Sequence, residues 1–138
     1  MSVTDIRYVG YGLPDVETER TFYRDVWGLR EAAARDGCVY FAAEGGDEPF
    51  VVRLRSAKER RVDVIALAAA SRADVDHLFA KVKADGCQII FEPRALPGFA
   101  GGYGFRFFHK EGLTFEVSSG YEHGPKRQLD ALRQSRKR

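Results

Sequence analysis

Few side chains in this 138-residue chain are of a type that does chemistry, and their spacing limits what that chemistry can be. The three histidines are scattered. His77 lies beside Asp76 on the polar side of a predicted helix, His109 falls in the turn-like run Phe108-His109-Lys110-Glu111-Gly112, and His123 sits in Tyr121-Glu122-His123-Gly124 near the end of the chain. His77 and His123 read as surface residues and His109 as a turn residue, so no catalytic base stands out. The two cysteines, Cys38 and Cys87, share no metal or redox spacing; each follows a glycine at a predicted strand start, where a small half-buried thiol is common. Glu116 is the unusual carboxylate. It falls within a predicted strand, where Phe115 and Val117 take the opposite face, so it shares its own face with whatever that side of the sheet encloses.

The elements that position these residues are readable as a repeat with an offset of 56. That shift places Ile6-Arg7-Tyr8-Val9-Gly10-Tyr11 over Val62-Asp63-Val64-Ile65-Ala66-Leu67 and Asp15 over Ser71. It also places Phe22 over Leu78, Tyr23 over Phe79 and Val26 over Val82. In the first unit Ile6–Leu13 predicts a strand stopped by Pro14, and Asp15 predicts an N-cap with Glu17 and Glu19 in the first turn. Val16, Phe22, Tyr23, Val26 and Trp27 form an apolar helix face that Gly28 ends, and strands follow near Leu29–Ala33, Cys38–Ala43 and Phe50–Leu54. The second unit repeats the order. A strand over Val62–Ala69 leads to a Ser71 cap with Asp74 three residues on, then to the stripe Val75, Leu78, Phe79 and Val82, closed by Gly86. Strands follow near Cys87–Glu92, Tyr103–His109 and Leu113–Ser118, with Pro93–Gly102 predicted as a rim or lid loop. The units span about residues 5–56 and 61–121 of one domain, 1–124.

Composition narrows the class. At 44% apolar and 30% charged residues, with no apolar run near the ~18 needed to span a bilayer, the expectation is a soluble globular protein with no membrane partner. The N-terminus lacks a signal-like basic start and apolar stretch, and a reducing cytoplasm suits the unpatterned cysteines. The segment 125–138 sets six Lys and Arg against Asp130, so this basic tail or linker carries +5 of a net +2 and leaves the body at −3. No basic face interleaved with aromatics accompanies it, so nucleic acid is not an expected partner.

Two tandem βαβββ units, with Phe22-Tyr23-Arg24-Asp25-Val26-Trp27-Gly28-Leu29 closing the first helix and Lys110-Glu111-Gly112-Leu113-Thr114-Phe115-Glu116-Val117 near the end, resemble the vicinal oxygen chelate superfamily. That superfamily includes glyoxalase I, bleomycin-resistance proteins and extradiol dioxygenases. The first-strand run around Tyr8 and the ending Glu116–Tyr121 are most similar to the N-terminal domain of type I extradiol dioxygenases of the biphenyl-2,3-diol kind. The resemblance implies an α+β fold in which the two modules form an eight-stranded, incompletely closed barrel around a cup. It also implies metal ligands on the first and last strands of the modules. Here those positions hold Tyr8, Val64 and Glu116, and a phenol and an isopropyl group cannot stand in for imidazoles. No metal or other cofactor is therefore expected in this chain, Fe(II) belonging to the other domain of the resembled enzymes. Inside the cup Glu116 must be paired or wet, with Tyr8, Arg53 or Arg106 as partners, and these residues with Val64 are the candidate cup lining.

The resemblance leaves three functional expectations open. The chain corresponds to the metal-free half of an extradiol catechol ring-cleaving oxidoreductase of aromatic catabolism, active only with a metal-bearing second domain or partner. Alternatively its cup sequesters a hydrophobic or aromatic small molecule, or it is a metalloenzyme with unusual ligands. Self-association as a homodimer, or assembly with a metal-bearing partner domain, is expected, because sheet edges and apolar helix flanks covered by the other half in four-unit relatives are bare in a single pair of modules.

Overall fold

The computed structural model describes residues 2–120; the basic tail 125–138 and His123 lie outside the described residues. Eight strands and two helices follow one another as two βαβββ modules. The first comprises β1 (Asp5–Leu13), α1 (Val16–Asp25), β2 (Arg30–Arg35), β3 (Cys38–Ala42) and β4 (Val52–Ser56). The second comprises β5 (Arg61–Ala68), α2 (Arg72–Ala84), β6 (Gln88–Ala95), β7 (Tyr103–Phe108) and β8 (Thr114–Ser119). All strands join one open mixed sheet in the order β2-β3-β4-β1-β5-β8-β7-β6, which reads the same from either end once the modules are exchanged.

The register of the two central strands carries the repeat into three dimensions. β1 and β5 run antiparallel with Val9 opposite Ile65, two positions 56 apart, so the local twofold passes through that pair. Tyr8 then faces Ala66, and Gly10 faces Val64, the position equivalent to Tyr8. Even the irregularities repeat: the register skips one residue at Arg7 in β1 and one at Asp63 in β5, again 56 apart. The parallel partners extend the correspondence, since Val9 aligns with Val52 in β4 and Ile65 with Phe115 in β8. One step on, Arg53 in β4 is thereby the counterpart of Glu116 in β8.

Alternation along the strands separates two apolar layers. Val39, Phe41, Val52 and Leu54 face α1, while Phe105, Phe107 and Val117 pack with Val75 of α2. The intervening residues Tyr8, Tyr40, Phe50, Val64 and Ala66 form a third cluster on the concave face. Both helices start at the expected caps. The Asp15 carboxylate accepts from the Thr18 N–H at 3.1 Å, and Ser71 Oγ accepts from the Asp74 N–H at 3.1 Å.

Two expectations change. The first helix stops at Asp25: the Val26 N–H still makes the helical bond to the Phe22 carbonyl, but the Trp27 N–H returns to that same carbonyl, five residues back, and Gly28 takes φ +69°. Val26 and Trp27 leave the helical stripe and stand 68% and 60% exposed, and no residue of α1 is fully buried. The loop predicted over Pro93–Gly102 is also shorter, since Pro93, Arg94 and Ala95 continue β6. β6 is an edge strand whose register with β7 shifts between Phe91 and Arg94, so a residue with no N–H to donate is accommodated there. The connection that remains is 96–102.

Candidate functional site

Four central strands bring one residue each to the middle of the concave face: Tyr8 from β1, Arg53 from β4, Val64 from β5 and Glu116 from β8. Glu116 is among the most buried side chains, 2% exposed, and its carboxylate is held from two sides. The Tyr8 hydroxyl donates to Oε2 at 3.2 Å, and Arg106 Nε donates to Oε1 at 3.1 Å. Arg106 Nη2 also reaches the Tyr8 oxygen at 3.4 Å, closing a three-membered network. The pairing follows from sheet register, because Arg106 lies directly opposite Glu116 across β7 and β8. Arg53, the other partner considered for Glu116, turns elsewhere. Its Nη2 lies 3.4 Å from Asp63 Oδ2, and its guanidinium carbon stands 5.9 Å from the Tyr8 ring centre.

Gly10 makes room for this arrangement. A Cβ there would lie 2.8 Å from Arg53 Nη2 and 2.9 Å from Val64 Cγ1, so any side chain at residue 10 would displace one of them. Tyr8, Arg53, Arg106 and Glu116 line one cavity of about 40 Å³ together with Tyr40, Phe50 and residues of the 96–102 loop. Val64 packs in the apolar cluster beside them. Tyr40 and Phe50 escaped the sequence-based list, although Tyr40 alternates with Val39 and Phe41 and so had to face the cup. Asp63 escaped as well. It gathers Arg55 at 2.6 Å, Arg61 at 3.0 Å and Arg53, and nothing short of the register skip reveals that it does so.

Burial, and then the neighbouring Glu116 charge, push the Tyr8 phenol up to about 12 against the pull of Arg106 and Arg53. An unfolded tyrosine ionises near pH 10, so the unfolded state loses its proton first as pH rises. Stability from this group is intact below pH 10 and is lost between pH 10 and 12, by about 2–3 kcal/mol in full. Urea unfolding followed through that interval should show the loss in the native sequence, and Tyr8→Phe should flatten it; parallel curves for the two proteins would place the effect in other groups. At Asp63 burial acts upward, yet the Arg55 hydrogen bonds with Arg53 and Arg61 outweigh it and hold the carboxyl below its ordinary range.

This donor set does not suit a divalent metal. A phenol kept protonated, a valine and a guanidinium surround the single carboxylate, and that carboxylate is already spent on Arg106 and Tyr8. Among the described residues no group of three His, Cys, Asp or Glu side chains could hold an ion. His77 is exposed on α2, and His109 is half-buried in the turn before β8, where its N–H donates to the Leu113 carbonyl. Cys38 and Cys87 are half-buried free thiols in separate modules. No described helix is long and apolar enough to cross a membrane.

With eight strands in this order, paired βαβββ modules and a shared concave face, the chain belongs to the Glyoxalase/Bleomycin resistance protein/Dioxygenase superfamily, whose family model matches residues 6–117. Among solved structures it is similar to a Mn(II)-bound glyoxalase from Novosphingobium aromaticivorans, at 55% identity and TM-score 0.88, over 91% of this chain and 42% of that one. It shares its fold with the 2,3-dioxygenase LapB from Pseudomonas sp. KL28, at 23% identity and TM-score 0.84, over 91% of this chain and 44% of that one. A variant of homoprotocatechuate 2,3-dioxygenase from Brevibacterium fuscum matches at 21% identity and TM-score 0.80, over 91% and 34%. This chain thus spans less than half the length of each. No curated protein matches it.

Proposed function

We propose that this chain is the metal-free pair of modules of a metal-dependent glyoxalase- or extradiol-dioxygenase-type enzyme, and that reaction chemistry belongs to metal-bearing modules with which it assembles. The observation that carries this reading is the filling of the strand-centre positions: Tyr8, Arg53 and Glu116 are tied into hydrogen bonds and ion pairs and Val64 packs in the apolar cluster, so no set of ligands is offered to an ion. The 55% identity with a Mn(II)-bound glyoxalase, set against 23% and 21% for the dioxygenases, favours a glyoxalase-like whole over catechol cleavage. Sequestration of an aromatic ligand fits less well. Small-molecule sites usually enclose about 300–1,000 Å³, whereas the two cavities that share Leu96, Pro97, Arg106 and Glu116 hold about 40 and 110 Å³. The partner surface, whether a second copy or metal-bearing modules, would draw on the bare flank of α1 at Val26 and Trp27.

Metal analysis tests the reading. The purified chain, incubated with Mn(II), Fe(II) or Zn(II) and dialysed, should retain far less than one ion per chain and show no turnover alone. Retention of one ion per chain, or isomerisation of a thiol–aldehyde adduct by the chain without a partner, would overturn it.

A further inference from the structure

The helix side of the two central strands is an apolar floor that neither helix covers. α1 packs on Val39, Phe41, Val52 and Leu54 of β3 and β4, and α2 packs on Phe105, Phe107 and Val117 of β7 and β8. β1 and β5 lie between. Val9 and Ile65 alternate with the cup-facing Tyr8 and Val64 and so point to the helix side, yet they belong to none of the three apolar clusters and are only half-buried at the centre of an eight-stranded sheet. Ile6 lies opposite Leu67 and Val62 opposite Tyr11 on that same side, 62% and 41% exposed. The gap above this floor has the width of one helix. From the midline of β3 and β4 to that of β8 and β7 is four strand spacings, about 19 Å. Helices pack about 8–10 Å apart, so a third helix would sit between α1 and α2 at an ordinary distance from each.

The same chain carries a matching ridge. No residue of α1 is fully buried, and Phe22, Val26 and Trp27 at and just beyond its end are exposed, with the Phe22 and Trp27 ring centres 5.5 Å apart. Every charged side chain of α1 already has a partner of opposite sign: Arg20 takes Glu17 and Glu31, Arg60 takes Glu19, and Arg24 takes Asp25. Enclosing α1 over an apolar floor therefore leaves no charge of the helix without its counterion.

We propose that two copies of this chain pair through this face, α1 of each filling the gap between α1 and α2 of the other. A twofold axis running along the strands produces the arrangement, with the four helices in one layer, α2-α1-α1-α2, between two sheets. The contact is the same on both copies, so it closes as a dimer and builds no filament. The ten residues of α1 make a cylinder about 15 Å long, which contributes roughly 300 Å² when two-thirds enclosed. Each copy supplies one ridge and one gap, so about 1,200 Å² is buried in all, within the range of specific interfaces. α1 returns alongside β1 after the turn at Pro14 and Asp15, which sets Val26 level with Ile6 at the start of β1. In the dimer Val26 of one copy thus lies over Ile6 of the other.

Sedimentation equilibrium tests the pairing. The native chain at about 100 µM should show twice its 15.5 kDa, with a Kd of about 10 µM or below. Val26→Lys, Ile6→Asp and, at the far end of the floor, Val62→Asp alter exposed side chains, and each should weaken the dimer by roughly 100-fold or more while keeping a native circular dichroism spectrum. Mixing Val26→Lys with Ile6→Asp in equal amounts should restore a dimer to within roughly 10-fold of native affinity, because the new ammonium then lies over the new carboxylate. A native chain that is monomeric at that concentration overturns the proposal whatever the variants do, and so does a folded Val26→Lys or Val62→Asp protein with unchanged affinity. Folded Val26→Lys and Ile6→Asp proteins that fail to recover on mixing overturn this placement of the axis. Metal content does not enter the measurement, so this inference and the reading of a metal-free chain fail separately.

Discussion

Glu116→Ala should destabilise the folded chain by about 3–5 kcal/mol, the loss typical of removing one member of a buried ion pair. The size follows from what is left behind. Arg106 and the Tyr8 hydroxyl both direct hydrogen bonds at this carboxylate, and with it gone a guanidinium and a phenol lose their acceptor inside the cup. Replacing Glu116 and Arg106 together by Met should recover most of the loss, because the cost lies in the orphaned partner more than in the missing pair. Urea denaturation of the single and double variants at neutral pH measures both. A loss below about 1 kcal/mol for Glu116→Ala would mean that water already satisfies Arg106 and Tyr8, a contribution typical of solvent-exposed pairs.

The second large effect is a gain. Tyr8→His with Val64→His puts two imidazoles on the central strands beside Glu116, yet that pair of changes should bind Co(II) or Zn(II) poorly while Arg53 remains. Arg53 Nη2 and Val64 Cγ1 both crowd the space over Gly10, so the guanidinium stands next to the place where the new imidazole would present an ion. Two unit charges 4 Å apart interact by about 4 kcal/mol at an effective dielectric of 20, and a divalent ion doubles the repulsion. Adding Arg53→Ala should therefore raise metal affinity by at least roughly 100-fold over the double variant. Glu116→Ala on top of the three changes should abolish the gain. Cobalt absorption spectra of the series report the ligands directly, and equal affinity with and without Arg53 would show that its side chain swings clear.

Much of the fold could be read from local signals. Asp15 and Ser71 announce both helix starts, and the offset they define is the one that sets Val9 against Ile65 at the centre of the sheet. The alternation that put Phe115 and Val117 on one face and Glu116 on the other holds, with both apolar residues against α2 and Glu116 in the cup. What stayed hidden depends on register. Alternation alone allowed Arg53 and Arg106 equally as partners for Glu116; adjacency of β7 to β8 decides for Arg106. The recruitment of Asp63 required a skipped residue in β5, and the end of α1 at Asp25 turned on carbonyl sharing at Phe22 that no hydrophobic stripe encodes. Pro93 was misleading because a helix or strand breaker is harmless where the strand has a free edge.

The twofold through Val9 and Ile65 has a bearing on what a tandem chain can hold that a pair of identical chains cannot. In a symmetric pair, every position near the axis meets its own copy, so a charge placed there confronts an equal charge. Joining the modules in one chain lifts that restriction. Arg53 and Glu116 occupy matching places yet carry opposite signs, and so do Arg7 and Asp63 at the two skipped positions. Three of these four residues have a close counterion, Glu48 for Arg7, Arg106 for Glu116 and Arg55 above all for Asp63, and Arg53 shares Asp63 at 3.4 Å. A buried, polarised centre of this kind is open only to halves that are free to diverge.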